Sequence, residues 1–338
     1  MASDALRFAD YGFATSFGAH PTRITRIRAP SGFDAFAYQA ILNEDIDGDP
    51  RAYGPASKGA VGSANGPHDK LGNATNDENG NPVFDPKGNN AWLWVGLLSK
   101  RSGEFLPAGF ALDEDLSLRD ALLRFPVKKP ARGPGGGFYI STSAIATTQL
   151  KGEFDQDRFW NAAAVPYSAL TSALSRVGVR QQDIGLAIRN DTGATVAFFF
   201  ADWGNEPKVG ECSRALFRTF FPRADQEGHP VSFLVFPNSG SLRNVPPNDE
   251  SSRDLFEATV RARLGQLAQT PNVQDLVLLL ALGASKAAFD RFQDKGLSDA
   301  GTGAVSRNIA AALQKAGLQF PSAGPVPTPT PVRPPLIF

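Results

Sequence analysis

The sequence predicts a mainly β fold with appended helices, organised as a β-barrel with long loops. Three observations carry that expectation. Short β-type runs, "FAYQAIL", "NAWLWVGLL", "GGGFYIST", "DIGLAIR", "ATVAFFFAD" and "VSFLVFP", are set apart by Gly, Pro, Asn and Asp between about Ile24 and Phe236, which is the punctuation of strands and turns. The 338-residue chain holds 33 Gly and 26 Pro, so an unusual share of it belongs to turns and irregular connections. Helical periodicity begins only after Pro247.

Taken in order, the strands are joined by two connections too long for hairpin turns, 53–90 and 124–136, and long ordered loops on a β scaffold shape clefts. Beyond Pro247, "SSRDLFEATVRARLGQLAQ" places Leu255, Val260, Leu264 and Leu267 near one helical face, with Ser251 or Ser252 as N-cap and Asp254 in the first turn. "VQDLVLLLALGASKAAFDRF" and "AVSRNIAAALQKAGLQF" read as two further helices. The expected organisation is a β part over 1–245, a small helical unit over 248–320 and a Pro-rich tail over 321–338, "PSAGPVPTPTPVRPPLIF", extended as polyproline II.

Charge and residue counts narrow the function classes. Lys plus Arg (34) balance Asp plus Glu (34), so no net field exists to hold nucleic acid or an anionic membrane. A single cysteine, Cys212, allows no intrachain disulfide, and with only His20, His68 and His229 no Cys/His zinc framework assembles; neither metal nor cofactor is expected. The longest greasy segment, Leu276 to Ala284, is about half of the roughly 18 residues a membrane span needs. The start, "MASDALRFADYGFATSF", lacks a basic end followed by an apolar run of signal-peptide length.

Two acidic features stand out. In "EDIDGDPRAYGP" the carboxylates Glu44, Asp45, Asp47 and Asp49 crowd together. Asp45, Asp47 and Asp49 alternate as the first ligands of a calcium loop do, but glycine falls at the fourth position instead of the sixth, and Ala56 stands where a bidentate glutamate belongs. An EF-hand is therefore rejected, leaving an irregular calcium site, a solvated acidic turn, or a negative subsite for a cationic ligand. The second feature is "ATVAFFFADWGNEPKVGECSRALFRTFF": an apolar strand ends at Asp202, and a Gly/Pro loop leads to Glu211, which opens a helix predicted over Cys212 to Phe220. Two carboxylates on rigid element ends around a glycine-containing loop suit glycosidic bond cleavage, one giving a proton and the other activating water. A capping role for Glu211 at the helix N-terminus is the plainer alternative.

The order of "YQAILNEDIDGDPRAYGP", "GGGFYISTSAI", "AVPYSAL", "DIGLAIRNDTGATVAFFFADWGNEPKVGECSRAL" and "VSFLVFPNSG" resembles the chitosanases of glycoside hydrolase family 75 and their bacterial relatives, over roughly Phe36 to Gly240. The resemblance implies a six-stranded double-psi β-barrel. It makes Asp202 and Glu211 the catalytic pair, with Gly210 and Ser213 completing a Gly-Glu-x-Ser segment. An Asp-x-Asp-Gly segment followed by Ala-Tyr-x-Pro is matched by Asp45, Asp47, Gly48, Ala52, Tyr53 and Pro55. The implied activity is endo-hydrolysis of β-1,4 bonds in chitosan with inversion, by a secreted monomer; the cytoplasm is the other address the sequence leaves open. Trp203 replaces the small polar residue usual in the family, and Gly54 stands where relatives often have His.

Chitosan carries free amines and is a polycation near and below neutral pH, so an acidic groove would attract it. Asp45, Asp47 and Asp49 are expected to meet ammonium groups in individually weak pairs that add along a polymer. Tyr53, Trp203 and Tyr139 are expected to offer stacking surfaces to sugar rings. Glutamate has the higher reference pKa and burial against Trp203 and Phe200 would raise it, which makes Glu211 the general acid and Asp202 the base acting on water. A helix terminus at Glu211 argues for the reverse assignment. Two rival functions remain: hydrolysis of chitin or a cell-wall glycan, and non-catalytic carbohydrate binding.

Overall fold

The computed structural model describes residues 4–51, 141, 143, 156–204, 208–222, 228–240, 248–268, 270–294 and 303–320 in full, and the backbone of four short strands between 62 and 107. The strands are β1 (Arg7–Ser16), β2 (His20–Arg28), β3 (Asp34–Ala40), β4 (Asn43–Asp45), β5 (Gly62–Ser63), β6 (Gly66–Pro67), β7 (Leu98–Arg101), β8 (Glu104–Pro107), β9 (Tyr167–Leu170), β10 (Ile184–Arg189), β11 (Thr195–Trp203), β12 (Lys208–Val209), β13 (Glu211–Ser213) and β14 (Val231–Phe236). The described helices are α1 (Ser172–Arg176), α2 (Arg214–Phe220), α3 (Ser252–Ala268), α4 (Gln274–Ala281), α5 (Lys286–Asp294) and α6 (Gly303–Lys315). The fold is thus mixed α/β, with a helix at Ser172–Arg176 beyond those the sequence predicts.

Ten strands form one mixed sheet in the order β12-β1-β2-β3-β14-β10-β11-β9-β13-β4. Most neighbours are antiparallel, while β1 with β12, β11 with β9, and β13 with β4 run parallel. One residue, Gly210, separates β12 at one end of the sheet from β13 near the other. Chain continuity therefore brings β12 close to β13.

The continuous apolar run of β11 is explained by burial on both faces. Ala197, Phe199 and Ala201 belong to a core that includes Phe256, Val260, Leu264 and Leu267 of α3, whereas Val196, Phe198 and Phe200 belong to a second core with Phe233 and Val235 of β14 and Leu216, Phe217 and Phe220 of α2. A strand covered on both sides loses the polar alternation of a half-exposed one. Phe199 is the pivot on the helical side: its ring stacks on Phe256 with centroids 4.9 Å apart and meets Trp160 edge-on at 4.8 Å.

In α3 the buried stripe is Phe256, Val260, Leu264 and Leu267, so Phe256 takes the place that spacing gave to the half-buried Leu255. The helix begins at Ser252, and the backbone N–H and hydroxyl of Ser251 both donate to Asp249 Oδ1, at 2.8 and 2.6 Å. Leu276, Val277, Leu279 and Leu280 of α4 and Ile309, Ala312 and Leu313 of α6 enter the same core, so the helices over 252–315 cover one face of the sheet. No described helix is long and apolar enough to cross a membrane.

A shared core has a testable consequence. Cutting the chain after residue 247 strips α3 to α6 from Leu186, Phe199, Leu234 and Phe236, and each large side chain so exposed forfeits about 1.5–3 kcal/mol of burial. The 1–247 fragment is expected to lose its cooperative thermal transition and to bind a hydrophobic dye. A sharp transition at the midpoint of the whole chain would show instead that the β part stands alone.

Candidate active site

The acidic segment divides by strand alternation. Successive side chains of β4 point to opposite faces, so Glu44 turns away from its neighbour Asp45. Glu44 is 7% exposed and accepts from Arg218 Nε at 3.1 Å and Nη2 at 2.8 Å, with Arg214 Nε at 3.8 Å. It ties β4 to α2. Asp49 shares this arginine side: its Oδ1 accepts from the Arg51 backbone N–H at 2.8 Å. Burial raises the Asp49 carboxyl, while that N–H and the charges of Arg214 and Arg51 pull it back. The expectation that Asp49 meets substrate cations beside Asp45 finds it buried, 1% exposed, and facing the protein's own arginines.

Asp45 lies on the other face. The parallel register of β4 and β13 sets Asn43 beside Glu211 and Asp45 beside Ser213. Burial raises the Asp45 carboxyl well above the usual carboxylate range, and the charges of Asp47, Glu211 and Asp202 push it further. Four carboxylates from three separate stretches therefore act on one another. Asp45 Oδ1 accepts from the Asp47 backbone N–H at 2.9 Å, closing an Asx turn.

Asp202 reaches this cluster through an irregularity. Pairing of β11 with β9 shifts between Phe200 and Asp202, with Phe200 opposite Ser168 and Asp202 opposite Ala169. Such a bulge re-aims the side chain that follows it. Asp202 is 7% exposed, its Oδ1 accepts from the Trp203 N–H at 2.7 Å, and its carbonyl accepts from Gln181 Nε2 at 2.8 Å. Trp203 is 59% exposed. An indole this open gives none of the burial expected to raise the Glu211 carboxyl.

Glu211 is a strand residue. The helix expected to open at Cys212 begins at Arg214, capped by Ser213, whose Oγ accepts from the Leu216 N–H at 3.4 Å. The same Oγ accepts from the Tyr167 N–H and donates to the Val165 carbonyl, both at 2.9 Å. Three demands on one hydroxyl fix β13 against the segment that enters β9. Glu211 thus stands outside the helix, two residues before its Ser213 cap. Cys212 points the opposite way into the apolar core; burial foremost, with the charges of Asp45, Glu44 and Glu211, pushes its thiol up and leaves no thiolate.

Below the carboxylates lies a buried frame to which sequence reasoning assigned no role. Tyr167 is fully buried and its hydroxyl donates to the Asp47 carbonyl. Its phenol is raised by burial and by Asp45, Asp202, Asp47 and Asp49. The Gly48 N–H donates to Ser141 Oγ at 2.8 Å, and Gln156 braces Ser141, accepting from its N–H at 2.8 Å and donating to its carbonyl at 2.7 Å. Ser168 Oγ donates to the Glu211 carbonyl at 2.9 Å. The available signal is polar residues inside apolar strands, since a buried polar group is retained where it has a partner to serve. Tyr53 and Tyr139, expected as stacking surfaces, lie outside the described residues.

Among the described residues no three His, Cys, Asp or Glu side chains are grouped closely enough to hold a metal ion. No protein-family model matches the chain, and no curated protein matches it.

The strained titration of Asp45 gives a direct prediction. Its carboxyl binds a proton more tightly folded than unfolded, so its penalty is absent below the ordinary carboxylate range and grows as pH rises from about 4. Asp45→Asn keeps the oxygen that accepts from Asp47 N–H and removes the charge. The variant is expected to be more stable than the parent at pH 7 by about 1 kcal/mol, a rise of ~2–4 °C in Tm, and equal to it at pH 3. Equal midpoints at both pH values would contradict the crowding of charge at Asp45.

Proposed function

We propose that this protein is an endo-acting glycoside hydrolase of the family 75 chitosanase type, cleaving β-1,4 bonds of chitosan with Asp202 and Glu211 as its reacting carboxyls. One observation carries the reading: strand register sets the stretches that carry Asp45, Asp202 and Glu211 side by side, and the charges of Asp47, Glu211 and Asp202 act on Asp45. Such a concentration of acid groups favours a cationic ligand, and the exposed indole of Trp203 suits the apolar face of a sugar ring. The proposal includes the fold, a double-psi barrel closed where Gly210 joins β12 to β13.

Glu211 is the acid and Asp202 the base. Glutamate has the higher reference pKa, and Glu211 lies in β13, outside the helix that begins at Arg214. Protonation of the bridging oxygen by Glu211 would release the leaving sugar while Asp202 takes a proton from the attacking water. Incubation with fully deacetylated chitosan, followed by reducing-end release and viscosity, tests the reading. A rapid fall in viscosity with few reducing ends is expected for endo cleavage. Binding without any new reducing ends would favour a carbohydrate-binding module, and cleavage confined to chitin would change the substrate.

A further inference from the structure

Gly204, two residues beyond Asp202, follows the end of β11, and its N–H donates to the Leu170 carbonyl at 3.0 Å. A Cβ placed on it would stand 3.2 Å from Glu211 Oε2, 3.1 Å from Thr171 Cγ2 and 3.1 Å from Ala169 Cβ. The Glu211 carboxylate and the Thr171 side chain therefore press against the same bare point of backbone. A side chain at Gly204 would crowd these neighbours, and its backbone is not left-handed.

Thr171 carries a second anomaly. It precedes α1 at the N-cap, where a threonine hydroxyl ordinarily accepts from the first turn of the helix, yet its side chain makes no capping bond. The backbone carbonyl accepts from the Leu174 and Ser175 N–H groups instead, at 3.1 and 2.9 Å. Its Oγ1 is fully buried without a hydrogen-bond partner among the described residues. Buried hydroxyls are retained where they meet a polar group in some state of the protein.

We infer that Thr171 and Gly204 are positioning residues for Glu211: the glycine admits its carboxylate to the end of β11, and the threonine hydroxyl hydrogen-bonds that carboxylate once substrate displaces it. The inference rests on the hydrolase reading above. Both act through Glu211 and neither touches the substrate, so their removal alters turnover and leaves substrate affinity.

The test compares Thr171→Val, which keeps shape and deletes the hydroxyl, with Thr171→Ser, which restores it. Thr171→Val is expected to lower kcat at least ~10-fold with KM within about twofold of the parent, and Thr171→Ser to recover most of the loss. Gly204→Ala is expected to lower kcat by ~10- to 100-fold, the scale of a small misplacement of a reacting group. Parent-like kcat in both Thr171→Val and Gly204→Ala would overturn the inference. So would a fall in Tm that accounts for the lost activity of Thr171→Val, since deleting an unpartnered hydroxyl should leave Tm unchanged or raised. If the parent releases no reducing ends from chitosan, the hydrolase reading fails separately, and crystal structures of the parent and Gly204→Ala decide the geometry. A displaced Glu211 carboxylate in the variant supports the packing; an unmoved one refutes it.

Discussion

Asp202→Asn and Glu211→Gln are each expected to reduce chitosan hydrolysis by ~10²- to 10⁴-fold, the range by which positioned acids and bases accelerate proton transfer. Both substitutions are close in shape, and the surroundings favour an intact fold. Asparagine at 202 keeps an oxygen for the Trp203 N–H, and Gln181 holds the backbone carbonyl, which the substitution does not touch. Glutamine at 211 leaves untouched the carbonyl that accepts from Ser168 Oγ. Tm is therefore expected to stay level or rise, because each change removes one charge from those crowding Asp45. The two variants separate the roles. An aryl glucosaminide with a good leaving group needs no proton, so Glu211→Gln should recover activity on it while Asp202→Asn stays inactive; the opposite pattern would exchange acid and base. Parent-like hydrolysis by the double variant would exclude the two-carboxylate mechanism.

Much of this arrangement was legible in the chain, for reasons specific to particular segments. The apolar run ending at Asp202 announces a buried strand, and β11 spans Thr195–Trp203. The turn chemistry of "DGDP" follows β4 as the motif implies. What escaped was set by long-range pairing. Cys212 and Ser213 look helical because they precede "RALFRTF", but pairing with β4 and β9 holds them extended until the Ser213 cap. The four carboxylates of "EDIDGDP" read as one patch, and only strand alternation together with Arg214 and Arg218, some 170 positions away, separates Glu44 and Asp49 from Asp45 and Asp47. The sequence leaves open whether the helices after Pro247 pack on the β part or are tethered to it, because periodicity reveals an apolar stripe without saying what covers it; in the structure Phe256 stacks on Phe199. The bulge before Asp202 has no signature in "FFFADW", since it is a mismatch of register between two strands.

Gly210→Ala is expected to lower stability by about 3 kcal/mol or more and to inactivate the protein together. Gly210 has φ +106° and lies buried where the two ends of the sheet meet. An added Cβ would stand 2.3 Å from the Ile41 carbonyl oxygen and 3.1 Å from Ala40 Cβ. The first distance is to backbone, which cannot swing aside as a flexible side chain would. Relief requires separating Gly210 from 40–41, and the Gly210 carbonyl accepts the Asn43 N–H at 3.0 Å in the same place. Losing that bond loosens β4 from β13, and with it the register that sets Glu211 beside Asn43 and Asp45 beside Ser213. Strain at Gly210 thus passes straight into the carboxylates. Tm is expected to fall by roughly 10 °C, with residual folded protein showing reduced kcat even well below its transition. Retention of parent Tm would mean that the sheet ends can part without cost, and retention of parent kcat in the folded fraction would mean that Glu211 is held by something other than its pairing with β4.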